Sequence, residues 1–160
     1  MGFLAESRAQ VVSRRLLVVL RLYLGIAFIV AAGPKLQAGA NWPERMAASL
    51  ERSLPQSYGF YKAFVENTIL PNQELFAFLV AWGEVLVGVG LLLGLFTRLA
   101  ALMGLVMNTN YLLLLGQLPL GPMNNAALIF AEIVILLGAA GRAYGVDYFL
   151  AKRWPRGLLW

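Results

Sequence analysis

Four long apolar stretches run through this chain, and each of them has one or two strongly polar residues well inside it. The stretches cover residues 16–33, 74–96, 98–118 and 125–141. Their polar residues are, in chain order, Arg21, Glu84, Asn108 with Asn110, and Glu132. A charge in hydrocarbon costs between about 2.5 and 17 kcal/mol, so such residues usually face a bundle interior, where they pair, bind a ligand or carry a proton. The pattern therefore predicts a buried site without naming its ligand.

The length of these stretches predicts helices that cross a membrane. The chain is 60% hydrophobic and only 13% charged, with a mean hydropathy of +0.71, which is far more apolar than a soluble domain. Crossing a bilayer takes about 20 residues at a rise of about 1.5 Å each. We therefore predict an all-α, integral membrane four-helix bundle that forms a single domain over residues 1–160.

Basic residues at the two ends of the chain predict its orientation. They precede the first stretch and follow the last one, at Arg8, Arg14, Arg15, Arg142, Lys152, Arg153 and Arg156. This is the positive-inside pattern, and it predicts that both termini are cytoplasmic and that segment 34–73, with nearly balanced charge, is an extracytoplasmic loop. Arg21 interrupts the first stretch, so we interpret that stretch as a retained helix and not as a signal peptide.

Two segments outside the apolar stretches also show helical spacing. In the loop, one amphipathic helix is predicted after Pro43 and a second after Pro55, and both could lie on the membrane surface or pack on the bundle. Their apolar stripes are Met46, Ala47, Leu50 and Leu54, then Tyr58, Tyr61, Phe64, Val65 and Thr68. The tail 142–160 mixes aromatic and basic residues, which is typical of a membrane interface and also suits a tail that binds a partner.

Composition excludes several kinds of chemistry. The chain has no Cys and no His, which removes thiol exchange, iron–sulfur ligation, histidine-ligated haem and most zinc or copper sites. Gly88 and Gly90 lie within an apolar stretch and form no dinucleotide fingerprint. The basic residues that give the net charge of +5 lie at helix ends, so nucleic acid is not an expected partner. We predict no catalytic residue, no metal and no haem, and any redox role would depend on a bound group or on another subunit.

The polar residues of the last three stretches share one depth. Counting from the helix ends at a rise of about 1.5 Å per residue places Glu84 and Asn108 about 15 Å into the membrane and Glu132 slightly shallower. Glu84 lies on a stripe of small residues that favours close helix contact, and Asn108 aligns with Gly104 and Tyr111. That stripe consists of Ala77, Ala81, Glu84, Gly88 and Leu91. We therefore predict that these residues line a polar layer inside the bundle.

The charges of this layer do not balance. It holds two carboxylates and at most one buried cation, Arg21, so one acid must be neutral, be hydrated or find a donor from a bound guest. The alternative is a closed structural network in which Arg21 pairs with Glu84 or Glu132. Arg98, just after the second stretch, is expected to anchor the turn at Phe96 and Thr97 or to pair with Asp147.

Several short motifs together resemble the DoxX family, and in particular its DoxD-like members. They occur in the family's order, as Leu20-Arg21-Leu22-Tyr23-Leu24-Gly25 with Gly33-Pro34-Lys35, Glu84-Val-Leu-Val-Gly88-Val-Gly90, Gly94-Leu-Phe-Thr-Arg98-Leu-Ala100-Ala101, Met107-Asn108-Thr-Asn110-Tyr111, and Gly141-Arg142 with Asp147. The resemblance implies a four-helix protein of the bacterial or archaeal inner membrane. It also implies a role in redox or oxidative-stress assemblies, since one family member is a membrane subunit of an archaeal thiosulfate:quinone oxidoreductase. The positions most characteristic of the family are Arg21, Glu84, Arg98, Asn108 and Arg142.

These observations lead to two main hypotheses. In the first, the protein is the membrane subunit of an oxidoreductase complex and holds a quinone, to which Arg21, Asn108 or Tyr111 donates a hydrogen bond while Glu84 or Glu132 carries its proton. In the second, it is a non-catalytic assembly subunit with a closed polar network. Both expect lipid and other membrane subunits as partners. A transporter is a weaker alternative, because the stretches lack the broken helices of carriers.

Overall fold

The structure is a computed structural model that describes residues 14–116 and 125–154. Seven α-helices lie in these ranges, and neither range contains a strand, which confirms the predicted all-α class. The helices are α1 (Arg14–Ala38), α2 (Trp42–Ser53), α3 (Gly59–Phe64), α4 (Gln73–Leu93), α5 (Thr97–Leu114), α6 (Asn125–Gly138) and α7 (Asp147–Arg153). Short 3₁₀ turns join several of them, and a π-helix over Val65–Ile69 follows α3.

A helix occupies each of the four apolar stretches, but the end of the first differs from the prediction. Helix α1 passes through Pro34 and ends only at Ala38. Proline removes one backbone donor from a helix, yet Pro34 is exposed and α1 tolerates it. The extension adds a further turn to α1 and places Lys35 within the helix. Residues 117–124, between the third and fourth helices of the bundle, and the chain ends at 1–13 and 155–160 lie outside the described residues.

The segment between α1 and α4 folds back onto the bundle. Helix α2 buries Met46 and Leu50, and the next helical segment buries Tyr61 and Val65, which all belong to the two predicted stripes. Phe64 of the second stripe is instead 41% exposed. These side chains form one cluster with residues of α4 and α5. The indole of Trp42 donates a hydrogen bond of 3.0 Å to the carbonyl of Ala77. Of the two arrangements that the sequence left open, the helices therefore pack on the bundle.

Helices α1 and α4 cross at two glycines. A Cβ placed on Gly25 would lie 3.1 Å from the carbonyl oxygen of Gly88, and a Cβ on Gly88 would lie 3.0 Å from that of Gly25. The two backbones can approach this closely only because neither residue has a side chain. Around the crossing, an apolar core draws on all four long helices, with Leu24, Phe28, Leu91, Ala101 and Ile135 among its buried members.

The outer surface of the four long helices is also apolar. Val19, Leu86 and Leu137 are 70%, 70% and 74% exposed, and similar residues follow the outward face of each long helix. Contiguous apolar surface of this extent is rare on water-soluble monomers and suits contact with lipid. By length and composition, two helical segments, Leu16–Gln56 and Gly59–Leu93, could cross a membrane, and Asn125–Gly138 is apolar but shorter. The fold is all-helical, and its apolar outer surface suits a membrane protein.

Candidate functional site

Arg21 does not belong to the polar layer. Its guanidinium donates hydrogen bonds of 3.1, 3.2 and 3.1 Å to the carbonyls of Ala140, Ala143 and Tyr144, beyond the end of α6. The predicted alternative, in which Arg21 pairs with Glu84 or Glu132, is therefore wrong. The physical reason is its position near the start of α1, about 20 Å along the helix from Lys35 at the other end.

Asp147 fixes the turn between α4 and α5. Its carboxylate accepts hydrogen bonds from the backbone amides of Phe96, at 2.7 Å, and Thr97, at 2.9 Å. These amides belong to the start of α5, where an acidic group satisfies free donors and complements the helix dipole. The expected ion pair between Arg98 and Asp147 is not formed, because the carboxylate is directed at the backbone instead. Asp147 is fully buried, which shows how closely the tail packs here.

Glu84 is paired with a cation that the sequence analysis missed. Both of its carboxylate oxygens contact the ammonium of Lys35, and the hydroxyl of Tyr111 donates a hydrogen bond of 3.2 Å to Oε1. The Lys35 ammonium also lies 5.8 Å from the ring centroids of Trp42 and Tyr111. Cation, carboxylate and rings form a largely buried group in which both oxygens of Glu84 have partners.

Lys35 was missed because the first apolar stretch was taken to end at residue 33 and segment 34–73 was predicted to be an extracytoplasmic loop. A signal was nevertheless present in the spacing of the buried residues of α1. Starting from Arg21, positions three or four residues apart continue to Lys35 along a single face, and the members in between are Leu24, Phe28 and Ala32. If the periodicity had been followed through the proline, it would have placed Lys35 on the buried face of α1.

Glu132 has a different environment from Glu84. The side-chain amide of Asn108 donates a hydrogen bond of 2.7 Å to Glu132 Oε1, and both residues are buried. Glu132 Oε2 is buried and has no hydrogen-bond partner among the described residues. Gly104 provides the room, since a Cβ there would lie 2.7 Å from Oε1 and 3.0 Å from Cζ of Phe28. A buried carboxyl oxygen of this kind can accept a hydrogen bond, and it can donate one when the carboxyl group is protonated.

Helix α5 connects the two acidic groups. Asn108 contacts Glu132 and Tyr111 contacts Glu84, and the two α5 residues are three positions apart on one face, as predicted. Between these two residues on α5, Asn110 accepts a hydrogen bond of 2.8 Å from the hydroxyl of Tyr61. The structure thus brings Glu84, Asn108, Tyr111 and Glu132 to one region, and α3 contacts α5 next to it.

Comparison with known families gives a decisive match. The model of the DoxX family matches residues 16–117, which is well over half of the chain. The chain belongs to the DoxX family. DoxX is a membrane family often linked to oxidoreductase-associated functions. No solved structure matches the chain.

The matched region of this DoxX protein includes most of the polar layer but not all of it. Lys35, Glu84, Asn108 and Tyr111 lie within residues 16–117, whereas Glu132 lies beyond them. Asn108 lies in the matched region and donates a hydrogen bond to Glu132, which lies outside that region.

The charge imbalance of the layer persists in the DoxX fold, with a different cation from the one expected. Lys35 neutralises Glu84, and no cation among the described residues forms an ion pair with Glu132. An ionised carboxylate buried in this way carries a large desolvation cost unless it gains a partner. No group of three or more metal-ligating side chains occurs in the described ranges. The layer thus offers hydrogen bonds and a proton-holding group as its chemistry.

Proposed function

We propose that this DoxX protein is a membrane subunit of an oxidoreductase complex, and that Glu132 and Asn108 hold the head group of a quinone. The observation that carries the proposal is the buried Oε2 atom of Glu132, which has no hydrogen-bond partner among the described residues. A quinone suits this environment because its ring is apolar and its two carbonyl oxygens accept hydrogen bonds. A carboxylic acid can donate such a bond and can also pass on a proton.

Each side chain of the layer has a distinct part in this proposal. Asn108 binds Glu132 Oε1 and so orients the carboxyl group, while Oε2 is left to face the guest. The quinone would supply electron-accepting chemistry, with electrons from a redox-active partner subunit and protons from the protein. Glu84 is already bound by Lys35 and Tyr111, so this trio supports the layer and Glu132 holds the proton. Arg21 is not assigned to the quinone, because it binds carbonyls at the far end of α1.

The proposal includes a topology. All four long helices cross the inner membrane of a bacterium or archaeon, both termini are cytoplasmic, and the segment with α2 and α3 is extracytoplasmic. The apolar outward faces of the four helices and the basic chain ends support this arrangement. Because the chain has no native Cys, single cysteines introduced at Gln56 and Lys152 can be labelled in intact cells with an impermeant maleimide. Labelling of Gln56→Cys alone is expected, and labelling of Lys152→Cys would contradict the topology.

Quinone retention tests the ligand. The protein is purified in native lipid and the bound quinone is quantified by mass spectrometry for the wild type and Glu132→Leu, because glutamine at this position would still offer an N–H donor to a quinone oxygen. We expect quinone in the wild type and a loss of at least about tenfold in Glu132→Leu, since about 1.4 kcal/mol of lost binding is tenfold. The absence of quinone from the wild type, or equal retention in Glu132→Leu, would overturn the assignment.

A second candidate is a non-catalytic assembly subunit, and the closed half of the layer favours it. Both oxygens of Glu84 are occupied by Lys35, and Tyr111 binds one of them as well, as expected of a structural network. This role predicts that large membrane partners co-purify with the protein and are retained in Glu132→Gln. Substitutions on the exposed face of α2 or α3 would release them, whereas the quinone-binding role predicts that such substitutions leave quinone retention unchanged.

A further inference from the structure

A cavity of about 370 Å³ lies outside the polar layer, between the end of α1 and the outer face of α2. Its lining residues are Pro34, Trp42, Arg45, Ala48, Ser49 and Arg52. Helix α2 buries Met46 and Leu50 on its other side, so the cavity lies on the face that is turned away from the bundle. Ligands from outside can therefore reach it.

The polar part of the cavity is basic. Arg45 and Arg52 are seven residues apart, which is two helical turns, and Ser49 lies between them on the same face of α2. Glu44 and Glu51 lie about 100° further around the helix, because each is offset by one residue from an arginine. Neither arginine forms an ion pair with an acid in the described ranges. Arg52 Nε donates to the carbonyl of Ala48 at 3.1 Å, which fixes the base of that guanidinium.

The rest of the cavity is apolar and continues onto the surface of the bundle. Trp42 forms a fixed wall, because its indole is held by the carbonyl of Ala77. Pro34 forms the opposite wall on α1, and one turn before it on the same helix face lies Val30, which is 67% exposed. Ile26, another turn back, is 56% exposed. A ligand with a head group in the cavity could extend an apolar chain along this strip of α1.

From this combination we infer that the cavity binds an anionic phospholipid. The guanidinium groups of Arg45 and Arg52 bind the phosphate diester, Ser49 donates a hydrogen bond to it, and an acyl chain lies along Val30 and Ile26. Arginine suits this role because its planar donors match phosphate oxygens. The site is distinct from the proposed quinone layer, since it shares no residue with Glu132 or Asn108.

Native mass spectrometry of the full-length protein tests this inference. Phosphatidylglycerol or phosphatidylcholine is added to delipidated protein, and the bound fraction is measured for the wild type, Arg45→Gln/Arg52→Gln and Lys62→Gln. Lys62 is an exposed cation on α3 outside the cavity and serves as the control for lost charge. We expect the double variant to bind phosphatidylglycerol at least about tenfold more weakly, since each basic residue near anionic lipid contributes about 1 kcal/mol. Lys62→Gln should bind phosphatidylglycerol as the wild type does. Phosphatidylcholine has the same diester, but its choline cation offsets the charge, so its binding should fall much less in the double variant than that of phosphatidylglycerol.

A second variant separates charge from shape. Ala48→Trp fills the cavity on an exposed helix face while keeping both arginines, so it should weaken phosphatidylglycerol binding as much as the double variant does. Equal binding of phosphatidylglycerol by the wild type and the double variant would overturn the inference. So would displacement of the lipid by an equal concentration of soluble glycerol phosphate, because the site would then recognise a free phosphate and not a lipid.

Discussion

The carboxylate of Asp147 accepts the backbone amide hydrogen of Thr97 at 2.9 Å, which ties the last described helix to the start of α5. Its other oxygen binds the amide of Phe96, whose φ of 46° places it in the left-handed region. Non-glycine residues adopt this conformation only when their surroundings stabilise it. Asp147 thus stabilises a strained turn and also accepts hydrogen bonds from free backbone amides at the start of α5.

The first prediction concerns this contact. Asp147→Ala should lower the free energy of unfolding by about 1 to 3 kcal/mol, because it removes a helix cap and takes the carboxylate acceptor from the buried amide of Thr97 and the partly buried amide of Phe96. Asp147→Asn keeps one acceptor and should lose less. Thermal unfolding in detergent, followed by circular dichroism, measures both. An unchanged melting temperature in Asp147→Ala would show that the turn needs no cap.

The second prediction concerns the buried ion pair of Lys35 and Glu84. Lys35→Met should destabilise the protein by about 3 to 5 kcal/mol, because it leaves the carboxylate of Glu84 without its cation. Glu84→Gln should also destabilise it, and the double variant should recover much of the loss. A double-mutant cycle of unfolding free energies measures the coupling. Additive losses would mean that the two side chains act independently.

The third prediction concerns the space beside Glu132. A Cβ at Gly104 would lie 2.7 Å from Glu132 Oε1, so Gly104→Ala should displace the carboxyl group and lower the melting temperature. The matched control is Gly83→Ala in α4, where a Cβ would meet only the flexible end of Met107 at 3.6 Å. Both changes improve helix propensity equally. A melting temperature that rises in both variants would show that the contact at Gly104 is easily relieved.

The fourth prediction contrasts the two acids. Glu132→Gln keeps an oxygen acceptor for Asn108 and removes no ion pair within the described residues, so its unfolding free energy should stay within about 1 kcal/mol of the wild type. Glu84→Gln, which leaves Lys35 without its carboxylate, should be clearly less stable. Thermal unfolding in detergent, followed by circular dichroism, compares Glu132→Gln with Glu84→Gln. Severe destabilisation of Glu132→Gln would indicate that Glu132 is ionised and paired with a group outside the described ranges.

Much of the polar layer was predictable because its signals are local. The stripe that includes Ala81 and Gly88 places Glu84 inward by helical periodicity alone, and the structure confirms that all three are buried. The alignment of Gly104 with Asn108 also holds, since both adjoin the carboxyl group of Glu132. In each case the evidence lies within one helix, where spacing in the sequence determines the face.

The choice of partners was not predictable, and Arg21 and Lys35 show why. Both lie on the buried face of α1, and the sequence favoured Arg21 because it stands inside the apolar stretch. In the structure its position along the helix decides otherwise, since Arg21 reaches only the carbonyls after α6, while Lys35 reaches Glu84. The depth of a side chain in a bundle depends on where its helix starts and ends and on how the helices are offset along their axes. For α1, it also depends on the continuation of the helix through Pro34.

The sequence by itself determined the helical class, the apolar lengths, the inward faces and the excess of buried acid over buried cation, because each follows from composition or from spacing along one helix. Only the tertiary structure decided that Lys35 neutralises Glu84, that Asp147 holds the turn at Thr97 and that Glu132 is left with Asn108. Those outcomes depend on which side chains from separate helices meet within a few ångströms, and that is set by packing between helices and not by the order of residues within them.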